Sequence, residues 1–152
     1  MDPWSPHDRV MRMPVAGTIP RGYQPYEYKE DPEGAAKNLI NPLPQTKEVL
    51  LAGEKAFNTN CAVCHGAKGL GDGSIIPKFP KPPSLQSEKV RGWPDGRIYH
   101  VVTMGQNLMP SYASQIAPTT RWSIIRYLRA LQLSQAPSEA DVEAYKKTRE
   151  KK

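Results

Sequence analysis

Apolar residues first recur at helical spacing from residue 47, where Val49, Leu50, Gly53, Ala56 and Phe57 follow Thr46, a residue suited to cap a helix start. This spacing predicts a helix over residues 47–60. A shorter helix is predicted from Asp95, acting as its cap. It would bury Ile98, Val101 and Val102 and stop before Gly105, a residue that commonly follows a helix. The clearest stripe is Trp122, Ile125, Leu128 and Leu131, in a helix that Pro118 suits at its first turn. Ser138 and Asp141 have capping-box spacing before a charged stretch ending at Glu150, which predicts a weakly amphipathic terminal helix. No segment alternates with the period of a strand and no repeat is present. The fold class is all-α with long loops.

The intervening segments are equally informative. Residues 66–94 are rich in glycine and proline and read as a long wrapped loop, and a second loop runs over residues 105–117. Residues 1–46 hold Pro3, Pro6, Pro14, Pro20, Pro25, Pro32, Pro42 and Pro44 and show neither period, so no ordinary helix or strand is expected there. They also hold Trp4, Val10, Met11, Met13, Val15, Tyr23, Tyr26 and Tyr28, more apolar and aromatic surface than a solvated linker needs. The expected organisation is an extended N-terminal arm over 1–46 that orders on a partner, a folded domain over 47–133, and a charged C-terminal helix or tail over 134–152.

The length of 152 residues gives room for one domain and a tail, which excludes a large multidomain enzyme. The longest aliphatic run, Val49 to Ala52, is far too short to span a bilayer, so no transmembrane helix is expected. The net charge is +6, and the excess falls within residues 61–133. Its basic residues there (Lys68, Lys78, Lys81, Lys89, Arg91, Arg97, Arg121, Arg126, Arg129) are scattered singly, without the aromatic interleaving or charge runs of a nucleic-acid surface. An acidic protein partner fits them better; taken one at a time they read as solvated side chains.

Cys61, Ala62, Val63, Cys64 and His65 form Cys-x-x-Cys-His, the attachment signature of c-type haem. At a helix end, residues three and four apart share a face. Both sulfurs then reach the two vinyl groups while the imidazole reaches the iron. A thioredoxin-like pair would follow a buried strand at a helix start, whereas this motif follows a helix. A zinc site would need a further ligand, and only His7 and His100 remain, neither at finger spacing. One haem c, covalently bound, is the expected cofactor.

Met109 and Met104 compete for the second axial position. Pro110 biases Met109 toward an extended backbone, so a loop would hold its thioether over the ring face, whereas Met104 falls on the short helix where a core role is ordinary. Histidine is the other possible ligand type, with His100 read as a surface or satisfied residue and His7 lying in the arm. With His65 and Met109 both bound, the iron has no open position and the function is electron transfer, with no catalytic residue. The other nitrogen of His65 is expected to meet a backbone carbonyl between Pro77 and Pro83. Arg91, Trp93 and Tyr112 are candidates for the propionates.

Residues 47–133 resemble class I cytochromes c: Gly53 and Phe57 lead into Cys61-Ala62-Val63-Cys64-His65-Gly66, a Met109-Pro110 loop follows, and Trp122, Tyr127 and Leu128 sit on the last helix. The resemblance implies that first and last helices cross at Gly53 and pack Phe57 against Tyr127 and Leu128. A wider match covers Pro14 to Gly22, Pro82 to Leu85, Pro94 to Val102, Met109 to Ala113, and Arg121-Trp122 to Leu131-Gln132. These segments are similar to the monohaem cytochrome c subunit of bacterial alternative complex III, a membrane quinol oxidase unrelated to cytochrome bc1.

That resemblance implies an electron-transfer subunit, not an enzyme by itself, in a membrane-associated quinol:acceptor oxidoreductase of a respiratory or photosynthetic chain. Its implied partners are the other subunits, including a multihaem cytochrome c, and a downstream acceptor protein. The implied location is the periplasmic side of the inner membrane, peripheral or lipid-anchored. Many relatives begin with a lipid-bearing cysteine behind a signal peptide. Here no cysteine precedes Cys61 and no apolar signal core is present, so a mature or trimmed form is expected. The competing functions are a free periplasmic carrier and a haem enzyme in which Met109 dissociates to admit a small ligand.

Overall fold

The computed structural model describes residues 15–19 and 25–150. Among the described residues seven helices follow in order: α1 (Pro32–Asn38), α2 (Lys47–Asn60), α3 (Ala62–His65), α4 (Glu88–Arg91), α5 (Asp95–Met104), α6 (Pro118–Gln135) and α7 (Glu139–Glu150). Among the described residues there is no strand, only an isolated bridge between Gln106 and Met109. The expected anchors Trp4, Val10, Met11, Met13 and Tyr23, together with His7, lie outside the described residues.

α2 and α6 form the central pair. Thr46 accepts from the Val49 amide and caps α2, as its position predicts. The two helices meet where Gly53 lies against the Ser123 carbonyl and the Tyr127 Cβ, a space that a methyl group would overfill. Phe57, 1% exposed, packs with Ile116 and Ile124, its ring centroid 5.4 Å from that of Tyr127. On the other side of α6, Trp122, Ile125 and Leu128 pack with Ile98, Tyr99 and Val102 of α5. The apolar stripe of the last helix thus faces two clusters, with Leu85 and Tyr112 touching both.

Three local readings differ from expectation. α1 lies within the segment where no helix was expected. Seven residues are too few to display a period, and Pro32 at the start of a helix marks its first turn rather than breaking it. Asp31 caps it by accepting from the Gly34 amide at 2.7 Å, and buried Ala35 sits against Gly96, where a side chain on α5 would strike the Ala35 carbonyl. Asp95 does not cap α5. Pro94 holds that position, and the Asp95 carboxylate instead accepts from Arg129 Nε at 2.8 Å. The long loop contains α4, a single turn capped by Ser87.

α6 fastens the surrounding segments through three arginines. Arg126 donates to the carbonyls of Asn41 and Leu43, and Arg129 to those of Arg91 and Trp93. Arg121 donates to the carbonyls of Ala113 and Ile116. Asn41, itself buried, donates to the Trp122 carbonyl at 3.1 Å. Residues 39–43 are therefore tied to the face of α6. α7 carries the Ser138–Asp141 capping box that its sequence predicts.

Candidate functional site

Cys61 closes α2 and opens α3, so the chain turns as Cys-x-x-Cys-His begins. The following loop folds back over this turn: the amides of Gly71, Gly73 and Ile75 donate to the carbonyls of His65, Cys64 and Val63 at 2.8, 3.2 and 3.1 Å. Carbonyls that a short helix leaves free are thereby satisfied, and the motif is held from both ends. Leu85 closes the loop against the core, its amide donating to the Gly69 carbonyl and its carbonyl accepting from Gln132.

Cys61 and Cys64 are free thiols. Burial, with the neighbouring Cys64, pushes the Cys61 thiol up to about 12. A redox pair needs a thiol pKa brought down toward neutrality, so this environment opposes thioredoxin-like chemistry and suits sulfurs consumed in thioether bonds. Among the described residues no three His, Cys, Asp or Glu side chains converge as a metal cluster. Burial lowers the His65 pKa, which favours the neutral imidazole that an iron ligand must be.

His65 Nδ1 is buried and has no hydrogen-bond partner among the described residues. The carbonyl expected between Pro77 and Pro83 does not reach it; the Pro82 carbonyl lies instead against Gly71. A buried polar atom without a partner is costly, so the imidazole is left for an interaction that the folded chain alone does not supply. Together with two half-buried thiols on the adjoining turn, it fits an iron porphyrin attached at this point.

The second ligand candidate sits in the loop after α5. Gln106 and Met109 exchange backbone hydrogen bonds at 3.0 and 2.9 Å around a tight turn in which Asn107 takes φ 53°, a conformation asparagine tolerates. Met109 is half-buried and packs on the cluster of Trp122 and Ile125, while Cys61 packs on the cluster of Phe57. Tyr112 joins the two. Its hydroxyl points to the Asn60 carbonyl, 3.5 Å away, and its pKa is raised by burial and by the nearby Cys61 and Cys64. Met109 and Cys61 thus lie on the two clusters that Tyr112 joins.

The rival candidates fall elsewhere. Met104 is 37% exposed at the end of α5, neither in the core, as expected, nor beside the cysteines. His100 is buried and satisfied, its Nδ1 hydrogen-bonded to the Tyr26 hydroxyl at 3.0 Å. Of the propionate candidates, Arg91 donates to the Ala136 carbonyl, and Trp93 packs on the core under the Arg97 guanidinium. Arg121, read from the sequence as one of the solvated basic side chains, is instead buried beside Trp122. The available signal was that Arg121, Ile125, Leu128 and Gln132 share one helical face, so a charge lies on the apolar stripe.

The family model described as Cytochrome C oxidase, cbb3-type, subunit III matches residues 48–128. Among solved structures, the chain is similar to one from the Kuenenia stuttgartiensis reducing HAO-like protein complex, with 31% identity and a TM-score of 0.53. That match covers 61% of this chain and 49% of the other, so the chain spans about half the length of that relative. A comparison with curated proteins gives no match.

Proposed function

The chain belongs to the cytochrome c family described as cytochrome C oxidase, cbb3-type, subunit III, and on that premise we propose that it is the one-haem electron-transfer subunit of a membrane-associated quinol:acceptor oxidoreductase of the alternative complex III type. Its all-α fold is that of a cytochrome c, and a cytochrome c domain transfers electrons through haem. When bound, the haem supplies a one-electron iron(III)/iron(II) couple. The chain's residues would hold it: Cys61 and Cys64 would tether the macrocycle through their sulfurs, and neutral His65 and Met109 would offer the iron an imidazole nitrogen and a thioether. Buried Phe57, Ile125 and Leu128 keep water from the interior. Two protein ligands leave no position for a substrate, which favours a relay over a catalyst.

The observation that carries the electron-transfer reading is the buried His65 Nδ1, without a partner among the described residues, next to two half-buried thiols, with Met109 on the cluster that Tyr112 joins to that of Cys61. The assembly reading draws on the described turn Val15–Ile19. Thr18 donates to the Val15 carbonyl through its amide and its hydroxyl, Gly17 takes φ 83°, and beyond its two neighbours no atom of the described residues lies within 4 Å of where a Gly17 side chain would begin. Val15 and Ile19 are exposed apolar residues on a formed turn that its own domain does not use. A neighbouring subunit supplies the missing surface, and haem attachment of this kind goes with the periplasmic side of the inner membrane. No described helix is long and apolar enough to cross a membrane.

Copurification under mild detergent tests the proposal. The full chain is expected to migrate with membrane subunits and a multihaem cytochrome c, while a chain lacking residues 1–24 keeps its haem spectrum and is released. The deletion stops at 24 because residues 39–43 are bound to α6. If the full chain migrates alone, or the shortened chain copurifies at full stoichiometry, a free carrier is the better account.

A further inference from the structure

Arg121 is 5% exposed at the first turn of α6, and among the described residues none of its acceptors is a carboxylate. Nε donates to the Ile116 carbonyl at 2.8 Å and one terminal nitrogen to the Ala113 carbonyl at 2.9 Å. The other donates to Thr103 Oγ1 at 3.0 Å and to the Tyr99 hydroxyl at 3.4 Å. Among the described residues the ion pairs involve Arg97, Arg129 and Lys146, not Arg121. An arginine does not shed its proton on burial, so a full positive charge stands inside the domain, met among the described residues by neutral oxygens and the face of Tyr99, 5.6 Å from the guanidinium carbon.

The position of those oxygens is informative. Thr103 lies just before the loop that carries Met109, and Ala113 and Ile116 lie just after it. Ser111 donates to the Thr103 carbonyl at 2.6 Å and the Tyr112 amide to the Val102 carbonyl at 3.1 Å, closing the same neck. The Ser111 hydroxyl, which also accepts from the Ala113 amide at 3.2 Å, and the Arg121 guanidinium both reach across that neck; Arg121 does so from α6, through a planar fork that a lysine does not reproduce.

We propose that Arg121 is a positioning residue with two effects on the haem: it staples the neck of the Met109 loop so that the thioether stays on the iron, and its uncompensated buried charge favours the ferrous state. The proposal rests on the reading of Met109 as the sixth ligand. The stapling is geometric, because loss of the fork frees the loop from α5 and α6 together. The charge effect is Coulombic. Oxidation adds a positive charge to the iron, and a fixed cation in a low-dielectric interior opposes it.

The test uses the haem-loaded full chain with Arg121→Lys, Arg121→Gln, Thr103→Val and Met109→Ala. The readouts are the iron–sulfur charge-transfer band of the ferric protein, the affinity for cyanide as a ligand that displaces methionine, and the midpoint potential. Arg121→Lys, which keeps the charge and loses the fork, is expected to raise cyanide affinity about tenfold with a small change in potential. Arg121→Gln is expected to raise it similarly and to shift the ferric:ferrous equilibrium about tenfold toward ferric, a fall of about 59 mV. Thr103→Val removes one bond of the staple while Arg121 stays, so it reports on the neck even if Arg121→Gln does not fold. Equal cyanide affinity in wild type, Arg121→Lys and Thr103→Val would overturn the staple, and an unchanged potential in Arg121→Gln would overturn the charge effect. If the wild-type band is absent, or survives in Met109→Ala, the ligand reading itself fails; a band lost only in Met109→Ala with the other variants unaltered sinks this inference alone.

Discussion

The Tyr26 hydroxyl stands 3.0 Å from His100 Nδ1 and joins the N-terminal segment to α5 across 74 positions of sequence. The Tyr26 ring lies 6.0 Å from Tyr99, which stacks on Trp122 at 4.1 Å, so the contact continues into the core. Tyr26→Phe keeps the ring and removes the bond. It is expected to cost about 1 kcal/mol in denaturant unfolding of the haem-loaded protein and to leave the haem spectrum unchanged.

The same pair sets a pH window. Burial, followed by the charges of Tyr99 and Tyr28, raises the Tyr26 pKa from 10.0 to about 12, against a lowering from Arg121 and a further raising from Asp31. Its contribution is full below pH 10 and is lost as pH rises from 10 toward 12. Burial and then the Arg97 charge lower the His100 pKa from 6.5, while Asp31 and the Tyr28 backbone oppose them. Its contribution is full above pH 6.5 and is lost as pH falls below that value. Unfolding measured across the range should show stability falling on both sides. The alkaline fall should be shallower in Tyr26→Phe and the acid fall shallower in His100→Gln.

The two methionines are separable by substitution. Met109→Ala is expected to abolish the ferric iron–sulfur charge-transfer band and to lower the potential. Met104→Ala, at an exposed position, should leave both unchanged. The reverse result would reassign the sixth ligand.

Gly53→Ala probes the helix crossing. Alanine favours the helix by about 1 kcal/mol. Against this, its methyl group would meet the Ser123 backbone, and overpacking against backbone costs about 3 kcal/mol. A net loss of about 2 kcal/mol in chemical denaturation is expected, with the haem band intact.

The parts legible in the sequence are those whose signal is local. Thr46, Pro118 and the Ser138–Asp141 box mark helix ends through bonds within a few residues, and Val49 to Phe57 and Trp122 to Leu131 carry a full helical period. Cys-x-x-Cys-His was legible because the chemistry fixes its spacing. α1 was hidden: seven residues carry no period, and its fit depends on Gly96, more than 50 positions away. The missing bond at His65 Nδ1 and the stapling by Arg121 also escaped, since both depend on which distant carbonyls arrive, and backbone carbonyls leave no mark on a sequence.

The three arginines of α6 have a further consequence, for the order in which the molecule comes apart. Each fork holds a different segment, residues 41–43, 91–93 and 113–116, to one helix. None of the three segments has a helix of its own long enough to persist without that attachment. Opening fluctuations that would elsewhere be confined to a single loop are thus merged into the opening of α6. In hydrogen exchange the amides of these separate stretches should form one cooperative unit, released at a common free energy.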